Sequence, residues 1–403
     1  MMPAHHTRRL FFAFATCLAV CGCNNESDNP SEQPSPQSSS STASPAPTVM
    51  DTKDSPAREP TKEPYEPTEP AWTEQDDALP DTLEGQREDI LRKLVERMDV
   101  PPDSIATLRE IFGNYRTGQG NPAVTKHPMT RAECRKIRAQ SDTVKASAVC
   151  GSKNMVALYN PSKGETERDA TVCIDQFEFP NIACEYPMTW VQARQAQQIC
   201  TTLGKRLCDA HEWEGACYGE LNPPEEEYAF TLDRANMSGL HNFNNQKNGK
   251  IRWAYGEKKN HKLCGTTSRK SDKCVASEWI YCGSNTFPAG AFPQCVSQFG
   301  VYDQHGNAAE HMSMPTKPEQ LGSRGGIGRT EMKGSWFIFD FYEAHLDDCR
   351  WRAPDWHGSD VMYPNSHANY HLGFRCCKDI GDQRQDSRND SRNDSRNNNS
   401  NEQ

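Results

Sequence analysis

The sequence predicts an α+β domain with much irregular structure, held by disulfides and flanked by segments that do not fold. Three observations carry this. Helical and strand-like periodicities occur in one stretch of chain, but in short runs. Gly-, Asn-, Pro- and Ser-rich segments separate those runs from Gly219 onward. Of the 17 cysteines, setting aside Cys17, Cys21 and Cys23 leaves 14, an even number, all between Cys134 and Cys377. A dense, even cysteine set in an exported domain reads as a disulfide framework, which an irregular body of this length needs. Zinc is the competing reading, but Cys200, Cys208, Cys217 and Cys264, Cys274, Cys282 do not repeat a Cys-x2-Cys knuckle.

The first element is an address. Arg8 and Arg9 precede the apolar run LFFAFATCLAV, and VCGC follows. A basic segment, a short apolar run and small residues make an export signal, too short to span a bilayer as a helix. The expected product is a lipoprotein whose mature chain begins at a lipidated Cys23; a soluble secreted protein cut nearby is the alternative. Asn24 stands where an Asp would favour inner-membrane retention, so the outer membrane is expected. Residues 24–81 are dominated by Pro, Ser, Thr and Glu and read as an extended linker; the DSRN repeats of 381–403 read as a disordered tail. These ends account for a hydrophobic content of 35% and a mean hydropathy of -0.87 over 403 residues.

Residues 82–118 read as a helical lead-in. DTLEGQREDILRKLVERM places Leu83, Ile90, Leu91, Leu94 and Met98 at helical spacing, and PPDSIATLREIFG has a Pro-Asp start and a Gly stop. Thr171–Asn181 alternates and is aromatic, which predicts a strand ending in a Pro-Asn turn. PMTWVQARQAQQICTTLGKRLC predicts a helix with Trp190, Ala193, Ala196, Ile199, Cys200 and Leu203 on one face, stopping at Gly204. Asp209 and Glu212 form a capping-box pattern for a second short helix. The alternation in WFIFDFY (336–342) predicts a half-buried strand with a second aromatic face. Core packing is the ordinary use of such residues, and an exposed aromatic face would be a recognition surface.

Four motifs now bear on identity. GKRLCDAHEWEGAC (204–217), TFPAGAFPQCVSQFGVYDQHGNAAEHM (286–312), KGSW (333–336) and HLGFRCC (371–377) stand in this order. They resemble motifs of the formylglycine-generating enzyme, or sulfatase-modifying factor, family, over about residues 119–380. The resemblance implies a C-type-lectin-like fold. It also implies calcium at Asp303 and Glu310 through carboxylates and at Gly306 and Ala308 through carbonyls. A second calcium site is implied at Asn236 and the Met237 carbonyl, in RANMSG. A turn that aims several oxygens inward suits a hard cation. The alternative is a plain turn with Glu310 paired to an arginine.

The resemblance further implies a pair of cysteines after GSW, soft thiolates suited to Cu(I) and oxidation of a substrate cysteine. Those positions hold Ile338 and Glu343. Cys349, before RWR, is the one weak catalytic candidate, and one thiolate cannot make the pair. Neither copper nor iron is therefore expected as cofactor. His345, His357, His367 and His371 crowd the same region without a fixed ligand spacing and read as loop histidines. The expected function is a non-catalytic, lectin-like module for a protein or glycan partner at the cell envelope; an oxidoreductase of the formylglycine-generating or non-haem-metal type is the alternative. A net charge of -10 argues against nucleic acid.

Overall fold

In the computed structural model, residues 70–228, 230, 251–275, 277–352 and 359–381 are described. Cys23, Asn236, Met237, Trp356, His357 and both expected disordered ends beyond these ranges lie outside the described residues.

The first helix, α1 (Glu74–Asp77), corrects one boundary. Residues 70–81 were expected in the linker, yet here they pack. Trp72 lies under the Arg97 guanidinium at 3.4 Å and the Arg135 guanidinium at 4.6 Å. Asp76 is buried against Arg92 at 2.8 Å and Arg97 at 3.3 Å. Composition alone missed this because one tryptophan and one aspartate do the work in an otherwise Pro-rich stretch.

Helices α2 (Leu83–Met98) and α3 (Pro102–Gly113) match the expected lead-in. Thr82 Oγ1 accepts from Gly85 N at 3.0 Å and starts α2; Pro at the first turn of α3 costs no hydrogen bond there. Their apolar stripes do not form a separate body. Ile90, Leu91, Leu94, Leu108 and Phe112 share a core with Val191, Ala196, Ile199 and Phe374. Each of these side chains larger than alanine contributes roughly 1.5–3 kcal/mol on burial.

Four further helices follow: α4 (Arg131–Arg138), α5 (Ala193–Thr202), α6 (Ala210–Tyr218) and α7 (Pro224–Tyr228). Helix α5 is shorter than its sequence pattern, and Trp190 lies before it, at φ 56°. At α6, Glu212 Oε2 accepts from Asp209 N at 2.8 Å, the expected reach-back of a capping box.

The strands are β1 (Met155–Leu158), β2 (Val172–Asp175), β3 (Arg206–Leu207), β4 (Ala309–Met314), β5 (Arg329–Lys333), β6 (Leu372–Phe374) and β7 (Cys376–Asp379). One sheet runs β1-β2-β7-β3, all antiparallel; the other runs β5-β4-β6, with β4 and β6 parallel. Strands β6 and β7 are separated by Arg375 alone, so that residue sits where the chain passes from one sheet to the other. The expected strand Thr171–Asn181 is shortened to β2. Asn181, at φ 61°, folds back, and its Oδ1 accepts from Phe177 N at 3.1 Å.

The stretch WFIFDFY is not a strand. Phe339 N donates to Trp336 O at 3.0 Å, and Phe341 N and Tyr342 N both donate to Ile338 O at 2.9 and 3.0 Å. These are successive turns, so residues 336–339 go inward and Phe341 and Tyr342 outward. The expected alternation is absent: residues 336–339 are all buried and 340–342 all exposed, because turns carry the chain out of the core in one block.

All 14 cysteines from Cys134 onward are paired: 134–184, 150–173, 200–376, 208–377, 217–349, 264–295 and 274–282. Cys376 and Cys377 each tie β7 to a distant segment, one to α5 and one to the residue after β3. Cross-links that close long loops remove much unfolded-chain entropy, typically about 2–4 kcal/mol each.

Candidate functional site

The segment Gly300–Met312 leads into β4 through a turn with three residues at positive φ: Asp303 at 59°, Gly306 at 85° and Asn307 at 52°. Glycine is required at 306, because a Cβ there would lie 2.9 Å from the Gly265 carbonyl carbon and oxygen. The turn delivers Asp303 and Glu310 to one buried acidic centre, which also holds Glu178. Arg375 enters it and donates to both Glu310 oxygens at 2.6 Å; its other N–H groups reach the carbonyls of Asp175, Gln176 and Tyr302 at 3.1, 3.3 and 2.9 Å. Trp213 Nε1 also donates to Glu310, at 3.2 Å. Asp303 Oδ2 accepts from Gly290 N at 2.5 Å. Glu178 accepts from Asn307 Nδ2 at 2.6 Å and Ala308 N at 2.8 Å.

This arrangement does not fit the calcium implied at Asp303, Gly306, Ala308 and Glu310. Arg375 already supplies the cation, and it takes both oxygens of the carboxylate that would be the main ligand. Burial pushes the Glu178 carboxyl well above the usual range, and the charges of Asp303 and Glu310 add to the shift. Burial likewise pushes Asp303 up to about 6, despite the Gly290 N–H and the arginines nearby.

The face expected to hold a thiolate pair holds none. Ile338 is 4% exposed and packs with Trp336, Phe337 and Phe339. Glu343 is exposed and pairs with Lys259. Cys349 is buried and bonded to Cys217 of α6, so it is not a free thiolate. Among the described residues, the loop histidines are not gathered into a ligand set either. His345 stacks on Trp351 at 4.0 Å and His371 on Trp336 at 4.1 Å. Burial lowers the His345 and His367 imidazoles.

The structure does assemble one group that the sequence reading passed over. His305, inside the DQHGN turn, lies with Nε2 3.3 Å from Cys217 Sγ and accepts from Ala254 N at 3.0 Å. That contact leaves the proton on Nδ1, which faces Asp347 Oδ2 at 3.8 Å. Asp347 also takes His261 Nε2 at 2.9 Å and Trp253 Nε1 at 3.0 Å. Burial would raise the Asp347 carboxyl, but its histidine neighbours overcome this and hold it far below the usual range. Among the described residues, Cys217, His305 and Cys349 place their ligand atoms within 4.8 Å of one another, as do Cys208, Glu212 and Cys377. Both groups contain a closed disulfide, which binds no metal as it stands. No local spacing announces the first group, since Cys217, His305 and Cys349 come from three separate segments.

The surface around residues 336–346 carries exposed aromatic rings, Phe341 at 56% and Tyr342 at 59%. They sit against Arg269, 4.8 Å from the Phe341 ring, and Lys270, 5.6 Å from the Tyr342 ring. Exposed ring faces and cations thus stand side by side here.

A family model described as "Sulfatase-modifying factor enzyme 1-like domain" matches residues 123–380, more than half of the chain. Solved structures that match include one titled "Crystal Structure of CarF", at 13% identity over 52% of this chain and 86% of that one, with a TM-score of 0.30, too low to carry an argument. The search of curated proteins found no match.

Proposed function

The chain belongs to the sulfatase-modifying factor enzyme 1-like family, and from that premise we propose that it is a binding module of the family, not an oxidase. The observation that supports this is the chemistry at the expected thiolate positions. They hold Ile338 and Glu343, and the nearby Cys349 is closed with Cys217. Cu(I) chemistry of the expected kind needs two soft ligands held open, and these residues offer neither. The module presents the face around Phe341 and Tyr342 to a protein or glycan partner.

Copper loading tests the reading. The purified chain is incubated with Cu(I), dialysed and assayed for bound metal and for oxygen uptake with a cysteine-containing peptide. The expected result is neither stoichiometric copper nor oxygen uptake. One equivalent of copper with peptide oxidation would restore the oxidoreductase reading. The Cys217–His305–Cys349 group favours that second reading in one state: reduced, it would present two thiolates and an imidazole within 4.8 Å. The assay is therefore repeated after reduction.

The module is placed at the cell envelope by a lipid on Cys23. Seven disulfides suit an oxidising compartment. Among the described residues no helix is long and apolar enough to cross a membrane. Mass spectrometry of the mature N-terminus checks the anchor; an unmodified Cys23, or cleavage elsewhere, removes it.

A further inference from the structure

Beside the exposed rings lies a cleft of about 600 Å³, walled by residues 123–128 on one side and 267–273 on the other. Its walls are fixed. Asn285 spans them: its Oδ1 accepts from Lys126 N at 2.7 Å and its Nδ2 donates to Arg269 O at 2.7 Å. Ser271 Oγ does the same further along, donating to Val124 O at 3.3 Å and accepting from Gly283 N at 3.1 Å. Lys126, Arg269, Lys270 and Lys273 line this cleft, with Asp272 the one acidic residue among the lining. Among the described residues none of these four cations is in an ion pair. That is unusual company in a chain of net charge -10, where many arginines and lysines among the described residues are matched to carboxylates. The unmatched positive charge of this face is thus local, and it lies on a preformed concave surface.

Rings complete the picture. Tyr281, 40% exposed, lines the cleft, and Phe341 and Tyr342 flank it through Arg269 and Lys270. Planar exposed rings offer their faces to the flat C–H face of a sugar, while cations and wall hydroxyls serve its charged and polar substituents. A concave site with rigid walls suits a discrete chain that enters it better than the plane of a bilayer.

We infer that this cleft binds an acidic glycan, an oligosaccharide carrying sulfate or carboxylate groups. The inference rests on the binding-module reading and names its ligand class. Sulfate and uronate sources share the chemistry and are separated by the test.

Binding to the full chain is measured by calorimetry with four probes of matched length: a sulfated hexasaccharide, an oligogalacturonate, a neutral malto-oligosaccharide and a poly-glutamate peptide. At least one anionic sugar should bind, with affinity falling as salt rises, and the neutral sugar should not. Arg269→Glu with Lys270→Glu should weaken sugar binding ~10-fold or more. Phe341→Ala should weaken it severalfold and leave the peptide unaffected. These side chains are exposed, so unchanged melting temperatures confirm that the variants fold. Equal affinity for the neutral sugar overturns the inference. So does binding of poly-glutamate as tight as that of the sugars and indifferent to Phe341→Ala, or binding of no probe. Those outcomes remove only the ligand class; stoichiometric copper with oxygen uptake would instead remove the binding-module reading beneath it.

Discussion

Two buried acidic centres in this molecule behave in opposite ways. Glu185 lies between Lys93 and Arg131, each at 2.6 Å, and also accepts from Gln119 at 2.6 Å. Burial would raise its carboxyl, but the two cations overcome this and hold it at about 2. In the second centre Glu178, Asp303 and Glu310 share essentially one buried cation, Arg375, and burial with mutual repulsion drives Glu178 and Asp303 upward. Burial is the same in both; the count of cations per carboxylate decides the sign. The first centre clamps the lead-in helix α2 to the body, since Lys93 belongs to α2 and Glu185 does not. The second sets the turn that positions β4 and β6.

The sharpest break of this contrast is Glu185→Gln. It leaves the buried Lys93 and Arg131 to share Asp89, which lies 2.7 Å from Lys93 and 3.9 Å from Arg131, and one carboxylate for two cations should cost about 3 kcal/mol by chemical denaturation. A loss below about 1 kcal/mol would mean that Asp89 alone balances the two cations.

Next comes pH, where the centres should act with opposite slopes. Glu185 is depressed from 4.5 to about 2, so its contribution is present above 4.5 and is lost as pH falls toward 2. Asp303 is raised from 3.8 to about 6, so the folded state holds its proton longer, and stability declines as pH climbs from 3.8 toward 6. Asp303→Asn, which tolerates the positive φ and still accepts from Gly290, should remove that decline, on the order of 3 kcal/mol. Parallel stability–pH profiles for wild type and variant would refute the assignment.

Glu178→Gln should cost about 1 kcal/mol or less, since the lost acceptor is offset by relief of repulsion. A cost matching that of Glu185→Gln would erase the distinction between the centres. Smallest of all is the response to metal: with Arg375 on Glu310, melting curves in chelator and in added calcium should superimpose. A drop of several degrees in chelator would show that Arg375 yields its place to calcium, and the second centre would then be a cation site.

The parts legible in the sequence are those set by neighbours in the chain. Helices α2 and α3 follow from apolar spacing, and the Asp209–Glu212 start of α6 from a three-residue signal. The even cysteine count gave the fact of complete pairing, and the residues after GSW gave the loss of the thiolate pair. WFIFDFY misled because its residues divide into a buried block, 336–339, and an exposed block, 340–342, on successive turns, which a period-two pattern does not distinguish from a strand. The end of the linker was misplaced because Trp72 and Asp76 find their cations at Arg92, Arg97 and Arg135, outside any local window.

Only the tertiary structure decided which charge meets which. Arg375 and Glu310 are 65 residues apart, and Arg375 and the Asp175 carbonyl 200 apart. Cys217 and Cys349 are separated by 132 residues, and His305 reaches them from a third segment. Such pairings depend on how two small sheets and their long connections close, because a buried charge takes whichever partner the closed chain places within hydrogen-bond reach. The sequence by itself determined the family of the fold, its disulfide dependence and the absence of paired thiolates. What meets Glu310 was decided by one guanidinium arriving from between β6 and β7, a placement no local pattern encodes.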